Sequence, residues 1–408
     1  MHCLAFPQVS SICKYKVYGE QRINDIKEKM KMAYIKTFRI INKCFCLKKI
    51  EETKVVFEAF SGSVYGCNPK YISKKIHEIY GDKIRLVWAV KNPDHFYNYT
   101  KSDGIELCQY RSIQHIYQRM TAKVYISNFL EATEIPKRKG QYFIQTWHGG
   151  GCYKKLGSSE KKHQSIHDKR RNMQLDETDL FLVSSRFFEN TVVRKQLGYK
   201  REIEKCGMPR NDCLFSIDLK SIRKIKTRLK IAEDAFVVLY APTWSTNKDK
   251  LEKLNPSLIS MAFEKKFKKK CVILFRAHPN DKSNSDRMID VSDYDDMQEL
   301  LCISDALITD YSSSIWDFSF TYRPCFLFAV DAEWYTSNRG FCMPIDTWGF
   351  PVAKSNLELV KNIDSYSQSE FVEAMKQHHK VLESYEDGKA SERVAKIVGK
   401  TCGLEKEY

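Results

Sequence analysis

The chain has 408 residues, 43% hydrophobic and 29% charged, which is enough for two domains with a core each. That composition excludes a disordered or collagen-like chain, and no apolar stretch reaches transmembrane length. The net charge is +16, from 67 basic and 51 acidic residues, and roughly half of the excess lies in the first fifty positions.

This lead, residues 1–52, interleaves Lys27, Lys29, Lys31, Lys36, Arg39, Lys43, Lys48 and Lys49 with Met30, Met32, Tyr34, Ile35, Phe38, Ile40, Ile41 and Phe45. A basic, partly amphipathic segment of this kind suits an anionic membrane surface. The alternatives are a solvated basic helix and a helix that contacts RNA. Nothing else in the chain resembles a nucleic-acid module, so no nucleic-acid partner is expected. The fourteen cysteines are scattered, without paired CxxC knuckles, which argues against structural zinc. With no recognisable signal peptide, they suit free thiols in a reducing cytosol.

After the lead, Lys54–Phe60 reads as a buried strand, Lys70–Tyr80 as a helix and Ile84–Val90 as a second strand. A helix at Ser112–Met120 and strands at Lys123–Ile126 and Tyr142–Thr146 follow, the last running into Trp147-His148-Gly149-Gly150-Gly151. Leu180–Val183 is one more strand, ending in Ser184-Ser185 with a helix behind it. Gly207–Asp212 reads as the turn between units, and a charged helix, Lys220–Lys230, comes next. The alternation then restarts with strands at Phe236–Tyr240, Cys271–Phe275, Ala306–Ile308 and Cys325–Val330, before a charged helical tail at Ser367–Gly399. Alternating β and α elements predict two parallel, doubly wound α/β units facing across a cleft. The expected division is 1–52 for the lead, 53–212 and 213–385 for the two units, and 386–408 for a C-terminal helix or tail.

Two histidines stand just past strand ends, one per unit. His148 adjoins three glycines and precedes Lys154 and Lys155; His278 sits between Arg276 and Pro279. One such histidine is most often a structural hydrogen-bonder, but two in equivalent places, flanked by cations, suit a cleft that handles phosphate. In the second unit the strand Ala306–Ile308 runs into Thr309-Asp310-Tyr311 and then Ser312-Ser313-Ser314 ahead of an apolar helical pattern. The serines read as natural N-caps; a strand end followed by a helix N-terminus also favours a phosphate. Arg210 and Arg339 add charge near the same cleft. Asp293-Tyr294-Asp295 has DxD spacing, but the amphipathic run behind it makes these aspartates read as the acidic start of a helix. No P-loop, clean GxGxxG or nucleophile elbow occurs, and neither a metal nor a cofactor is expected.

These motifs, in their order, resemble the CDP-glycerol glycerophosphotransferases, the teichoic acid primases and polymerases. The resemblance runs over about residues 54–365. It rests on Phe57–Gly62 with Asn68-Pro69, Gln145–Gly149 with Lys154–Gly157, Ser184-Ser185, Gly207–Asp212, Leu239–Trp244, Arg276–Pro279, Ser304–Ser313 and Asp331–Phe341. It implies a GT-B-like fold with the nucleotide held by the second unit and the acceptor by the first. It also implies transfer of a polyol phosphate, glycerol phosphate above all, from its CDP ester to a hydroxyl of a lipid-linked or polymer acceptor, with release of CMP. Attachment at the cytoplasmic face of the cell membrane comes with it. The family's two essential histidines fall on His148 and His278 and its phosphate-binding serines on Ser312 and Ser313. Arg276, Arg210, Thr309, Asp310, Lys154, Lys155 and Arg339 complete the expected substrate contacts. His148 is the expected general base, although the two histidines could exchange roles. Many members have Thr-Pro after the His-Gly pair, where this chain has Gly150-Gly151-Cys152. A GT-B glycosyltransferase using a nucleotide sugar is the alternative.

Overall fold

The computed structural model describes residue 26 and residues 29–131, 133–156, 166–243, 253–276 and 287–404. His278, Trp244 and Pro279 lie outside the described residues. Two sheets organise the rest. The first has the order β3-β2-β1-β4-β5-β6-β7, built from β1 (Glu51–Glu58), β2 (Arg85–Val90), β3 (Ile105–Gln109), β4 (Ala122–Ser127), β5 (Tyr142–Gln145), β6 (Leu180–Val183) and β7 (Glu202–Lys205). The second has the order β10-β9-β8-β11-β12-β13, built from β8 (Phe236–Tyr240), β9 (Cys271–Phe275), β10 (Ile289–Asp290), β11 (Ala306–Thr309), β12 (Cys325–Phe328) and β13 (Val352–Ala353).

Every pairing between these strands is parallel. Parallel sheets are covered on both faces, which is why central strands such as Leu180-Phe181-Leu182-Val183 are apolar and buried throughout. In each sheet the strand order reverses next to the first strand, between β1 and β4 and between β8 and β11. Ligands of open α/β sheets bind at the carboxyl ends of the strands at such a reversal. The expected two-sheet α/β architecture is therefore the observed one.

Several elements were not legible in the sequence. β7 is Glu202-Ile203-Glu204-Lys205, an edge strand with one apolar residue, and β3 alternates apolar and polar residues too briefly to register. The helix Pro93–Thr100 is likewise short and half exposed. Behind Ser184-Ser185 the helix starts as expected, Ser185 Oγ accepting from Phe188 N at 3.0 Å, but it widens to a π-helix over Glu189–Gln196. The helical tail is two helices. Gln368–Val381 joins the second core through Phe371 and Met375, whereas Ala390–Thr401 returns to the first, its Val394, Ala395 and Val398 packed with Ile72 and Ile76.

The lead folds as a helix over residues 29–42 followed by a 3-10 turn, Lys43–Leu47. One face is docked. Ile35 is buried, Arg39 pairs with Glu177 and donates to Thr133 O at 2.8 Å, and Asn42 Nδ2 donates to Glu134 O at 3.0 Å. Met30, Tyr34, Ile40, Ile41 and Leu47 remain exposed. Among the described residues no helix is long and apolar enough to cross a membrane.

The two halves are stitched together by the loop after β5. Tyr153 leaves the first sheet and stacks on Trp348 of the second core at 4.2 Å, its hydroxyl hydrogen-bonded to His378 Nε2 at 2.8 Å. Cys342 N donates to Tyr153 O at 2.6 Å and Lys155 N to Gly340 O at 3.2 Å, so Lys154 and Phe341 face each other as an antiparallel bridge. The glycines of this loop are there for contact. A Cβ on Gly150 would lie 2.3 Å from Trp316 Cδ1 of the second half, and one on Gly151 2.5 Å from Tyr153 Cε2. Gly150→Ala should therefore cost about 1–3 kcal/mol by overpacking, read as a lower midpoint in denaturant unfolding. An unchanged midpoint would mean that the loop does not pack on Trp316.

Candidate active site

Three strand ends at the first sheet's reversal converge on His148. Its Nδ1 lies 3.1 Å from the carbonyl oxygen of Asn128, just past β4, and so carries the proton. Nε2 is thereby left with its lone pair. Phe60, just past β1, meets the imidazole edge-on at 5.4 Å, and Trp147 stacks on it at 5.0 Å. Asn128 also fixes Phe60, its Oδ1 accepting from Phe60 N at 2.9 Å. Trp147 has φ 54°, a left-handed conformation that costs a bulky residue roughly 1–3 kcal/mol. The turn is held from behind by fully buried Asn68, whose Nδ2 donates to Thr146 O at 3.1 Å and Trp147 O at 2.9 Å. Burial pushes His148 down to about 4, with Arg210 and Lys154 acting in the same direction against the Asn128 bond. The ring is thus a neutral base across the physiological range.

At the second sheet's reversal, the loops after β8 and β11 are tied to each other. Asp310 Oδ2 accepts from Thr243 N and Oγ1, both at 2.8 Å, and Thr309 Oγ1 donates to Ala241 O at 2.7 Å. Thr309 is fully buried, its hydroxyl engaged by Ala241 rather than turned to the cleft. The serines are a second correction. Ser313 occupies the N-cap position of the helix Ser314–Ser319 with αR backbone and no side-chain cap, and only Ser312 Oγ takes a backbone donor, Ser314 N at 3.3 Å. The Ser313 side chain instead faces the first half, where a Cβ on Gly149 would lie 3.5 Å from its Cβ. Ser312 and Ser313 are half-buried, and Ser313 stands beside Gly149, the residue that follows His148.

Arg210 joins the two sets. Its Nη1 donates to the carbonyl of His148 at 2.7 Å, and its Nη2 pairs with Asp317 Oδ2, on the helix behind the serines, at 2.7 Å. Its backbone N–H donates to Asn68 Oδ1 at 3.1 Å. The guanidinium expected to touch phosphate is buried, with Nη1 and Nη2 both engaged by protein groups and Nη1 bracing the His148 loop. Gln298 Nε2 donates to Asp317 Oδ2 at 3.0 Å and completes the bridge.

The remaining candidates divide. Lys154 stands 5.9 Å above the Tyr335 ring; burial pushes its ammonium down, Asp310 pulls it back up and Arg339 pushes it down. Lys154, Asp310 and Arg339 therefore share one region beside the serines. Lys155 and Arg339 are exposed. Arg276 turns elsewhere, its Nη1 donating to Tyr294 O at 2.6 Å. Tyr294, Asp293, Asp295 and Asp296 line a cavity of about 460 Å³ between the halves, with Lys70, His95 and Arg228. Asp296, rather than the DxD pair, caps the helix Met297–Ile303, its side chain accepting from Gln298 N, and it pairs with Lys70 at 2.5 Å. Asn128, Asp317 and Glu386 were not singled out from the sequence, and Asn68 was marked only as part of a motif. Each acts by holding backbone or a partner charge from far along the chain. Only Asn68, beside Pro69 at a helix start, gave a local signal.

Comparison with known proteins places these features in a group. The model of the CDP-glycerol:poly(glycerophosphate) glycerophosphotransferase family matches residues 40–400. A teichoic acid poly(glycerol phosphate) polymerase of Bacillus spizizenii is 29% identical over 373 residues, 85% of this chain and 93% of that one. A teichoic acid glycerol-phosphate transferase of Staphylococcus aureus is 29% identical over 402 residues, 92% of this chain and 99% of that one. Against a polymerase of Staphylococcus epidermidis, 30% identical, the match spans 51% of the relative. The solved structure of the wall teichoic acid polymerase TagF superposes with a TM-score of 0.76 at 26% identity, covering 93% of this chain and 98% of that one.

The bridge makes a measurable claim. Asp317→Asn leaves the Arg210 charge buried without its counter-ion and should cost about 3–5 kcal/mol. Arg210→Met combined with Asp317→Leu should cost less than the sum of the single changes, because no charge is left uncompensated. Additive losses in denaturant unfolding would show that the two residues do not interact.

Proposed function

Because the chain belongs to the CDP-glycerol:poly(glycerophosphate) glycerophosphotransferase family, it is a glycerophosphotransferase, and we propose that it moves glycerol phosphate from CDP-glycerol to a hydroxyl of a teichoic-acid-like acceptor. The observation that carries this reading is the tautomer and placement of His148. Nδ1 is committed to Asn128 O, and the loop that bears the ring lies against Ser313 of the other half.

In the reaction the acceptor oxygen attacks the β-phosphorus of the donor, the bond from that phosphorus to the bridging oxygen breaks, and CMP leaves. His148 Nε2 takes the acceptor's proton. Ser312 and Ser313 seat the pyrophosphate at the strand-to-helix turn, their hydroxyls serving as donors. Lys154, with Arg339 and Asp310 around it, supplies positive charge beside that seat, and His278 is the expected second histidine of the reaction. Charge development on the transferring phosphoryl group is met by positioned donors, the main device of phosphoryl transfer. In this division, 53–212 serves the acceptor and 213–385 the nucleotide.

The docked lead adds the partner surface. Met30, Tyr34, Ile40, Ile41 and Leu47 project beside Lys29, Lys31, Lys36, Lys43 and Lys48, which suits peripheral attachment to an anionic membrane at its cytoplasmic face. A lipid-linked acceptor would be presented there.

Three measurements test these statements. Purified protein given radiolabelled CDP-glycerol and membranes should release CMP, and His148→Ala should abolish release while the protein stays folded; turnover of a nucleotide sugar instead would overturn the donor assignment. The acid limb of kcat/KM should fall near pH 4 rather than 6.5, since burial lowers the base and protonation sets in only as pH drops through the lowered value; a limb at 6.5 would remove His148 from the base role. Ile40→Glu with Leu47→Glu should shift the protein from membrane to soluble fraction without unfolding it, because both side chains are exposed. Unchanged fractionation would reject the attachment.

A further inference from the structure

Two thiols outside the proposed active site lie within contact distance. Cys302 Sγ is 3.8 Å from Cys213 Sγ, and both residues are half-buried free cysteines. Cys213 is in the short helix Asp212–Phe215, which leaves the crossover that carries Arg210; Cys302 is in the last turn of Met297–Ile303. Both line a cavity of about 500 Å³ between the halves, with Lys70 and Tyr71 from the first and Ser216, Ile222 and Lys224 from the second. The sulfurs therefore face a space large enough for a small thiol reagent. Few residues separate them from the catalytic frame. The Cys213 thiol donates to the carbonyl of Arg210 at 3.3 Å, and Arg210 in turn holds His148 and Asp317.

We propose that Cys213 and Cys302 form a dithiol site that low-molecular-weight disulfides oxidise, and that the resulting disulfide slows turnover. One cysteine attacks the reagent's S–S bond and forms a mixed disulfide, releasing one small thiol. The other cysteine attacks the protein sulfur of that mixed disulfide and releases the second. Two protein S–H bonds and one reagent S–S bond break, one protein S–S bond forms, and the reagent leaves reduced by two electrons and two protons. A disulfide needs sulfurs about 2.05 Å apart, so the two sulfurs must approach by roughly 2 Å from their 3.8 Å separation. Bond formation removes the S–H donor from the Arg210 carbonyl, on the residue that holds His148. The neighbouring Cys302 thiol and burial push the Cys213 thiol up, so it rests as the thiol and the resting protein carries an open pair.

The test uses the full chain treated with oxidised glutathione, digested without reductant and analysed by mass spectrometry. A peptide pair joining Cys213 to Cys302 should appear. CMP release from CDP-glycerol should fall in step with it and return with dithiothreitol, whereas Cys302→Ser should be active and resist oxidised glutathione. Absence of the linked pair overturns the dithiol site, a reading that needs no turnover and so stands apart from the donor assignment. A linked enzyme with full activity, or a Cys302→Ser enzyme that loses activity equally, overturns its control of the reaction.

Discussion

The buried pair of Arg210 and Asp317 is the constraint on which the site depends. One partner leaves the first unit at the crossover, the other belongs to a helix of the second, and the pair closes at 2.7 Å with the His148 carbonyl on the same guanidinium. A buried ion pair is a poor source of stability, because desolvation offsets most of the attraction. What it supplies is registry: the charges are satisfied in only one relative placement of the two sheets. The glycine loop against Trp316 reinforces that placement, and so does Glu386, which accepts from Trp316 Nε1, Asn211 Nδ2 and Met208 N at 3.0, 3.0 and 3.1 Å. Burial pushes the Glu386 carboxyl up to about 8, in keeping with a group enclosed where the chain makes both crossings.

Seen from the chemistry, registry is what a two-sheet transferase needs. A base from one sheet and a phosphate seat from the other are useful only at a fixed separation, since misplacement of reacting groups by about 1 Å can cost on the order of a hundredfold in rate. In the proposed reaction the chain would meet this by mounting His148 on the Asn128 carbonyl and two rings at the reversal of the first sheet, then fastening the mount to the second half through Arg210. Cations nearby serve two ends. Lys154 and Arg210 disfavour a proton on His148 and so keep its ring neutral, while Lys154 would also meet the negative charge of a pyrophosphate in the proposed seat.

Most of this fold is readable in the sequence because central parallel strands are continuous apolar runs, as in Leu180–Val183 and Cys325–Phe328. What escaped was local and weak, such as the charged edge strand Glu202–Lys205. The site divides the same way. The places of His148 and the serines at strand ends were legible, because apolar strands run directly into them. Arg210 was legible as a charge but not as a bridge, since its partner lies over a hundred positions away inside an apolar helical pattern where Asp317 looks like an ordinary polar interruption. Thr309 misled for a related reason: a strand end places a hydroxyl at the ligand edge, and only the neighbouring loop decides whether Ala241 takes it first.

The most direct measurement is a crystal structure of this protein with CDP-glycerol bound. The pyrophosphate should lie within hydrogen-bonding distance of Ser312 and Ser313, with the β-phosphorus turned toward His148 Nε2 and Arg210 still paired with Asp317. A donor seated in the cavity lined by Asp293, Tyr294 and Asp295, with its phosphates away from His148, would contradict the account.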